Sequence, residues 1–433
     1  MNPGYWQRTA FLFLLAIYGL LFYFILTFQQ GIDFASFYSA SQMLTIGDNP
    51  YQSLFATYLP IAKKLAANLN PPIVLILFNP LIQFNYNTAL TIWWLTSLIV
   101  GLIAARITFK HVFSPDFFKN NWATLYLIYL AFFATLMDAA ITQLGALLLF
   151  CIMFGYHFYL KGSDYFAGIL WGFIIALKFF PALLFLWVLL QKRYKVFTVM
   201  LSVSALLSII PIFICGIDIY QQYFSMMSQV SWYGDSWNAS LYGFLFRILI
   251  NVHDKTQTFL FVNLVYGILF LIFLLWYLKS IVKMSVDSKN EQSFALTLCM
   301  MLLLSPFGWL YYFSLLLFPL AFTWKVNFAD AENTKNKILW FCSLFLLNFP
   351  MDYLSSKKMF TVTNKLCLSS LYFYGLLLLI YLLRAQKIPL YHDQKSLKAN
   401  FKYLPILGII FGFGIFVPTL SFVGRLFDIN WSN

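Results

Sequence analysis

Asp33 is the first acid in the chain. It stands a few residues beyond a long apolar run, 11–28, so it falls close to a bilayer surface. Phe34, Phe37, Tyr38 and Tyr51 put ring surfaces around it. A carboxylate beside aromatic walls at a membrane face suits proton transfer on a polar group carried by a lipid; it also suits a solvated loop. Asp138 lies in a short turn, LMDAAITQLG, between two apolar stretches. It reads as a second acid facing the first across a cavity, or as a turn and helix-capping residue.

Two cations stand out because their surroundings are apolar. Lys178 lies in WGFIIALKFFPALLF. An ammonium there must reach water, snorkel to the surface or find an anion. Arg247 lies in LYGFLFRILI, behind the polar and aromatic loop SWYGDSWNASLYG. A guanidinium can grip a phosphate with two parallel hydrogen bonds. Trp232, Tyr233, Trp237, Trp309, Tyr311 and Tyr312 fall at predicted outer ends of apolar stretches, as interfacial anchors or as sugar-stacking platforms.

These residues must be positioned by a membrane protein. The chain is 61% hydrophobic, 21% aromatic and 10% charged, whereas a soluble domain is about 25% charged. The net charge of +13 therefore bears on sidedness and not on nucleic acid. The predicted fold is all-α and polytopic. About 13 transmembrane helices are predicted, at 9–28, 86–107, 121–138, 141–159, 165–180, 181–191, 196–215, 257–279, 292–306, 308–324, 337–350, 366–384 and 402–420. The first, with Arg8 before its apolar core and no small-residue cleavage site after it, reads as a retained span. With the N-terminus inside, about two thirds of the 28 Lys and Arg residues fall on the inner side. That places Asp33 outside the cytoplasm. The stretch 70–84 is short and bracketed by prolines, so it is laid in the outer interface as an in-plane helix, forming a shelf with 49–66.

The whole of 1–433 reads as one integral membrane domain. Its parts are a first extracytoplasmic loop (31–85), a helical core (86–325) and C-terminal helices (326–433). The five cysteines lack CxxC spacing, and the four histidines are scattered, so neither a disulfide framework nor a metal site is predicted. No phosphate loop, dinucleotide fingerprint or GxSxG is present, which argues against a nucleotide-sugar enzyme with a soluble Rossmann domain. No cofactor is predicted.

Five segments in order carry a family resemblance. They are DFASFYSASQMLTIGDNPY from Asp33, NPPIVLILFNPL from Asn70, GILWGFIIALKFFPALLFLWVLLQKRYK from Gly168, NASLYGFLFRIL from Asn238 and LLLSPFGWLYYF from Leu302. Together the chain resembles the GT-C membrane glycosyltransferases, and most closely glycosyltransferase family 87, the polyprenol-phosphate-mannose-dependent mannosyltransferases of bacteria. The resemblance implies that Asp33 is the general base of an inverting transfer. It further implies a donor held among Lys178, Arg247, Tyr38, Asn70, Asn238, Trp309 and Tyr311, with Asp138 as a possible second acid. The implied partners are a polyprenyl-phosphate-linked sugar, a glycolipid or glycan acceptor, and membrane lipids, at the outer face of a bacterial inner membrane. Two places depart from the family pattern. Leu310–Tyr311 stands where members often carry a histidine, and Thr142–Gln143–Leu144–Gly145 matches the GQ-x-N segment only loosely.

Two other classes fit the composition. A transporter or flippase for a lipid-linked substrate predicts charge at mid-membrane. A non-catalytic lipid-binding subunit predicts indifference to substitution of Asp33.

Overall fold

The computed structural model describes residues 3–28, 32–52, 55–56, 63–65, 68–250, 258–286, 290–329, 333–351, 366–385 and 403–426. The helices are α1 (Pro3–Phe28), α2 (Ile32–Thr45), α3 (Pro72–Phe78), α4 (Tyr86–Val112), α5 (Pro115–Ala131), α6 (Phe133–Ile141), α7 (Gly145–Leu160), α8 (Asp164–Leu177), α9 (Leu183–Leu190), α10 (Tyr194–Cys215), α11 (Asp218–Ser228), α12 (Leu241–Leu249), α13 (Leu260–Val286), α14 (Asn290–Leu304), α15 (Leu317–Ala329), α16 (Thr334–Leu347), α17 (Leu371–Ala385) and α18 (Leu404–Leu426). A two-residue ribbon, β1 (Phe55–Ala56) against β2 (Lys63–Lys64), is antiparallel and is the departure from helix.

The prediction of about 13 crossings is corrected. Five helices are long and apolar enough to cross a membrane: Arg8–Thr27 in α1, Tyr86–Val112, Tyr194–Cys215, Leu260–Ser285 in α13 and Leu404–Gly424 in α18. A sixth arises if α5 and α6, bent by 58°, count as one span. The remaining apolar stretches fold into shorter helices. An apolar run in sequence signals burial, and a helix of well under about 20 residues meets that demand among protein neighbours without crossing. Proline supplies two of the breaks. The stretch 165–191 stops at Leu177, turns extended at Lys178 and resumes through a 3₁₀ turn, Phe180–Ala182, into α9. The stretch 292–324 stops at Leu304 before Ser305–Pro306 and restarts as the 3₁₀ segment Leu310–Leu316.

The in-plane helix is corrected as well. α3 has seven residues, and Pro72–Leu75 and Phe78 are buried, packed against α2 and α10. An interfacial helix leaves its apolar face to lipid; α3 spends most of its own on protein. Of the shelf partner 49–66, residues 53–54, 57–62 and 66 lie outside the described residues.

The described chain clusters into two compact units. The first comprises Met1–Ile17, Thr108–Leu136 and Ser231–Asn433, and the second Tyr18–Ile107 and Met137–Val230. In the second unit, α8 lies tightly on α10. A Cβ on Gly168 would come within 2.6 Å of Val199, and one on Gly172 within 2.7 Å of the Met200 carbonyl. The opposite side of α8 is tied to α7 by the Trp171 indole, which donates to the Ile152 carbonyl at 3.0 Å. These contacts fix the C-terminal end of α8, where Lys178 emerges. The Ser41 hydroxyl donates to the Leu75 carbonyl at 3.0 Å and ties α2 to α3.

Candidate active site

Within the second unit, Asp33 occupies the first turn of α2, where the helix dipole favours a carboxylate. It is half-buried. Its Oδ2 accepts a hydrogen bond from Gln143 Nε2 at 2.8 Å. Gln143 is buried, and its Oε1 accepts from the Leu144 N–H at 3.1 Å, which orients the amide so that its NH₂ meets Asp33. The turn delivering Gln143 is strained. Thr142 has φ 58°, the left-handed region that a β-branched residue avoids. The Trp93 indole holds it there by donating to the Thr142 carbonyl at 3.2 Å.

Asp138 is buried at the end of α6. Its two oxygens accept from the Gly145 and Ala146 N–H groups at 2.9 and 3.0 Å, capping the start of α7. It also lies within electrostatic range of Asp33. The turn 138–145 thus holds its shape through Asp138 and presents Gln143 to Asp33. Lys178 is half-buried and is electrostatically coupled to Asp33.

These surroundings set the basicity of Asp33. Burial raises its carboxyl from the ordinary 3.8 to about 6, against the opposing effects of the Gln143 hydrogen bond and the Lys178 charge. Its neutral form is therefore favoured by folding. That contribution to stability is present below about pH 4 and lost as pH rises through about 6. A reaction that uses the carboxylate has the opposite slope, so kcat/KM should rise through about pH 6 and then level off. Lys178→Gln removes a charge that lowers this pKa, so the rise should move to higher pH; an unmoved limb in a pH–rate profile would remove Lys178 from the surroundings of the base.

Tyr38 and Asn70, in the same unit, are buried and engaged in structure. The Tyr38 hydroxyl donates to the Phe84 carbonyl at 2.8 Å, and its ring meets Phe34 and Tyr86. Asn70 donates to Asn68 Oδ1 from its backbone N–H at 3.0 Å and from Nδ2 at 2.7 Å, and its carbonyl accepts from the Tyr51 hydroxyl at 2.9 Å.

The first unit holds Arg247, Asn238, Trp309 and Tyr311 in a second constellation. Arg247 is buried on α12. Its Nη1 donates to the carbonyls of Gly234, Asp235 and Asn238 at 3.3, 2.6 and 3.3 Å, and its Nη2 to that of Asn238 at 3.3 Å. Its Nε donates to Ser370 Oγ at 3.2 Å. The guanidinium grips the chain's own loop.

Asn238 is fully buried and uses all four of its side-chain hydrogen bonds. Nδ2 donates to the carbonyls of Tyr233 and Pro306 at 2.9 and 2.8 Å; Oδ1 accepts from the N–H groups of Ser240 and Gly308, both at 3.1 Å. It also forms a backbone bridge with Trp309. The N-x-S and S-P-x-x-W segments are thereby stitched into one backbone structure. Gly243 follows from that contact, since a Cβ there would meet Asn238 Cγ at 2.5 Å. Gly243→Ala should cost about 1–3 kcal/mol through overpacking, read as a lower unfolding midpoint; an unchanged midpoint would show that Asn238 yields freely. Trp309 is buried, Tyr311 half-buried, and their rings stack at 6.2 Å with an 18° tilt.

The family model that matches this chain is that of glycosyltransferase family 87, over residues 68–306, more than half of its length. The chain belongs to glycosyltransferase family 87. No curated protein matches it. Family 87 is a polyprenyl-phosphate-sugar-dependent glycosyltransferase family, so the chain is a membrane-associated sugar-transferring enzyme in that general sense. The matched span contains Asn70, Asp138, Lys178, Asn238 and Arg247. Asp33, Tyr38, Trp309 and Tyr311 fall outside it.

Gln143 is the contact of Asp33 that sequence reasoning left out of the family 87 site. The signal was there in the loose GQ-x-N match. Glutamine was the member of that segment retained in place, and it is the residue that reaches the acid.

Proposed function

We propose that this family 87 enzyme is an inverting transferase that moves mannose from a polyprenyl-phosphate carrier to an acceptor hydroxyl at the extracytoplasmic face of a bacterial inner membrane. The observation that carries the proposal is the half-buried Asp33 carboxylate, held at 2.8 Å by Gln143 and coupled to Lys178. Asp33 takes the proton of the acceptor hydroxyl as that oxygen attacks the anomeric carbon. The bond from that carbon to the phosphate oxygen breaks, and the phosphate leaves with the electron pair. One bond forms on the face opposite the one that breaks, so configuration inverts.

A phosphate is already a good leaving group, so it needs charge stabilisation more than protonation. Lys178 supplies a cation near the base for that purpose, in surroundings where water screens little. Gln143 orients the carboxylate and leaves Oδ1 for the acceptor. Asp138 acts as a positioning residue through the turn that presents Gln143.

The test is transfer of radiolabelled mannose from polyprenyl-phosphate-mannose to a crude membrane-lipid acceptor pool by the purified protein in lipid. Labelled product of inverted anomeric configuration is the expected result. Absence of transfer together with absence of donor binding would overturn the reading. Donor binding without transfer would leave the carrier and change the sugar. A reporter fused after Gln191 should read cytoplasmic; a periplasmic signal would overturn the orientation.

A further inference from the structure

A narrow cavity in the first unit has no part in the transfer described above. Its volume is about 100 Å³, and it lies among α5, α15, α16 and α18 beside the C-terminal end of α4. Phe117, Leu125 and Ile128 from α5 and Leu317, Ala321 and Trp324 from α15 supply much of its apolar wall. From Phe117 to Ile128 the wall follows α5 for roughly 16 Å, about half of a hydrocarbon core of about 30 Å. The cavity thus has the length of one leaflet and the lining of a hydrocarbon chain.

One end of it is polar and basic. The C-terminal ends of α4 and α15 and the N-terminal ends of α5, α16 and α18 all contribute lining residues at that end. Lys337 is buried on α16, one turn before the lining Trp340 and on the same face. Lys110 follows the lining Phe109, and its Nζ lies 5.8 Å from the Phe118 ring centroid. Lys119 and Lys335 belong to the same helix ends. Thr124, one turn into α5, lines the cavity with a buried Oγ1 that has no hydrogen-bond partner among the described residues. Positive-inside counting assigns these lysines to the cytoplasmic side.

From this arrangement we infer that the cavity is a binding site for one anionic phospholipid of the cytoplasmic leaflet. An acyl chain lies along α5, the Thr124 hydroxyl donates to an ester oxygen, and Lys337 with Lys110 faces the phosphate. The charge complementarity selects this occupant. A zwitterionic lipid carries a compensating cation, and a polyprenyl phosphate has no ester for Thr124. The bound lipid would hold the four helices together from within the membrane.

The experiment titrates the purified full chain in detergent with phosphatidylglycerol, phosphatidylcholine and a polyprenyl phosphate, counting retained lipid by native mass spectrometry. One phosphatidylglycerol should be retained in clear preference to phosphatidylcholine. Lys337→Gln should weaken that retention by about fivefold while sparing phosphatidylcholine. Ala321→Phe should close the cavity and lower retention of both. If Ala321→Phe fails to fold, the wild-type preference and Lys337→Gln decide alone. Equal retention of the two phospholipids by wild type overturns the site, as does phosphatidylglycerol retention that neither variant changes. Displacement of phosphatidylglycerol by polyprenyl phosphate at equal concentration also overturns it and gives the cavity to the donor's tail.

Discussion

Asp33→Asn should lower transfer by about 10²–10⁴-fold, the usual worth of a placed general base. The substitution keeps the shape of the side chain and can keep the contact with Gln143, because the asparagine oxygen still accepts from Nε2. It removes the acceptor for the hydroxyl proton and the negative charge that Lys178 faces. Burial already disfavours the Asp33 carboxylate, so the neutral amide should leave the protein as stable as wild type, or more so, at neutral pH. Lost turnover with retained stability and retained donor binding is therefore the full expected pattern. Single-turnover assays on wild type and variant, paired with unfolding curves, separate the parts. Near-normal turnover by the variant would remove Asp33 as the base, and a non-catalytic subunit would be indifferent to it.

Arg247→Met should have the largest effect on folding. It strips hydrogen bonds from the carbonyls of Gly234, Asp235 and Asn238 and from Ser370 Oγ, around a side chain that is 5% exposed. Orphaned buried acceptors cost about 1–3 kcal/mol each, so a loss on the order of 3–5 kcal/mol follows once water reaches part of the loop. Arg247→Lys should recover little, since one ammonium cannot reproduce a planar fork spread over this loop. Denaturant unfolding in detergent reads the loss directly. The opposite pattern, normal stability with donor affinity abolished, would return Arg247 to the lipid phosphate that the sequence suggested for it.

The contrast between Asp33 and Arg247 shows what sequence carries. Asp33 was legible because its position is defined locally, as the first acid after the first long apolar helix with rings on either side. Its partner was not. Gln143 lies 110 residues away and is brought to Asp33 by a turn with a left-handed Thr142 and a capping Asp138. Nothing local in the sequence announces that meeting. The two readings left open for Asp138 were a second acid and a cap; the cap is what its two oxygens do, within range of Asp33.

Helical, apolar, membrane-associated character was determined by the sequence alone, because a chain that is 61% hydrophobic and 10% charged cannot cover a soluble surface. The ordered segments likewise determined the family. The tertiary structure decided how many apolar stretches are long enough to cross. Hydropathy measures the demand for burial, and short helices such as α8 and α9 meet it against protein as readily as spans meet it against lipid. Tertiary structure also decided what Arg247 and Asn238 hold. A charge or amide in an apolar stretch must find partners, and the rule is the same whether they are a ligand's phosphate oxygens or the chain's own carbonyls. Only the folded backbone of 233–240 and 306–309 shows that the carbonyls were taken.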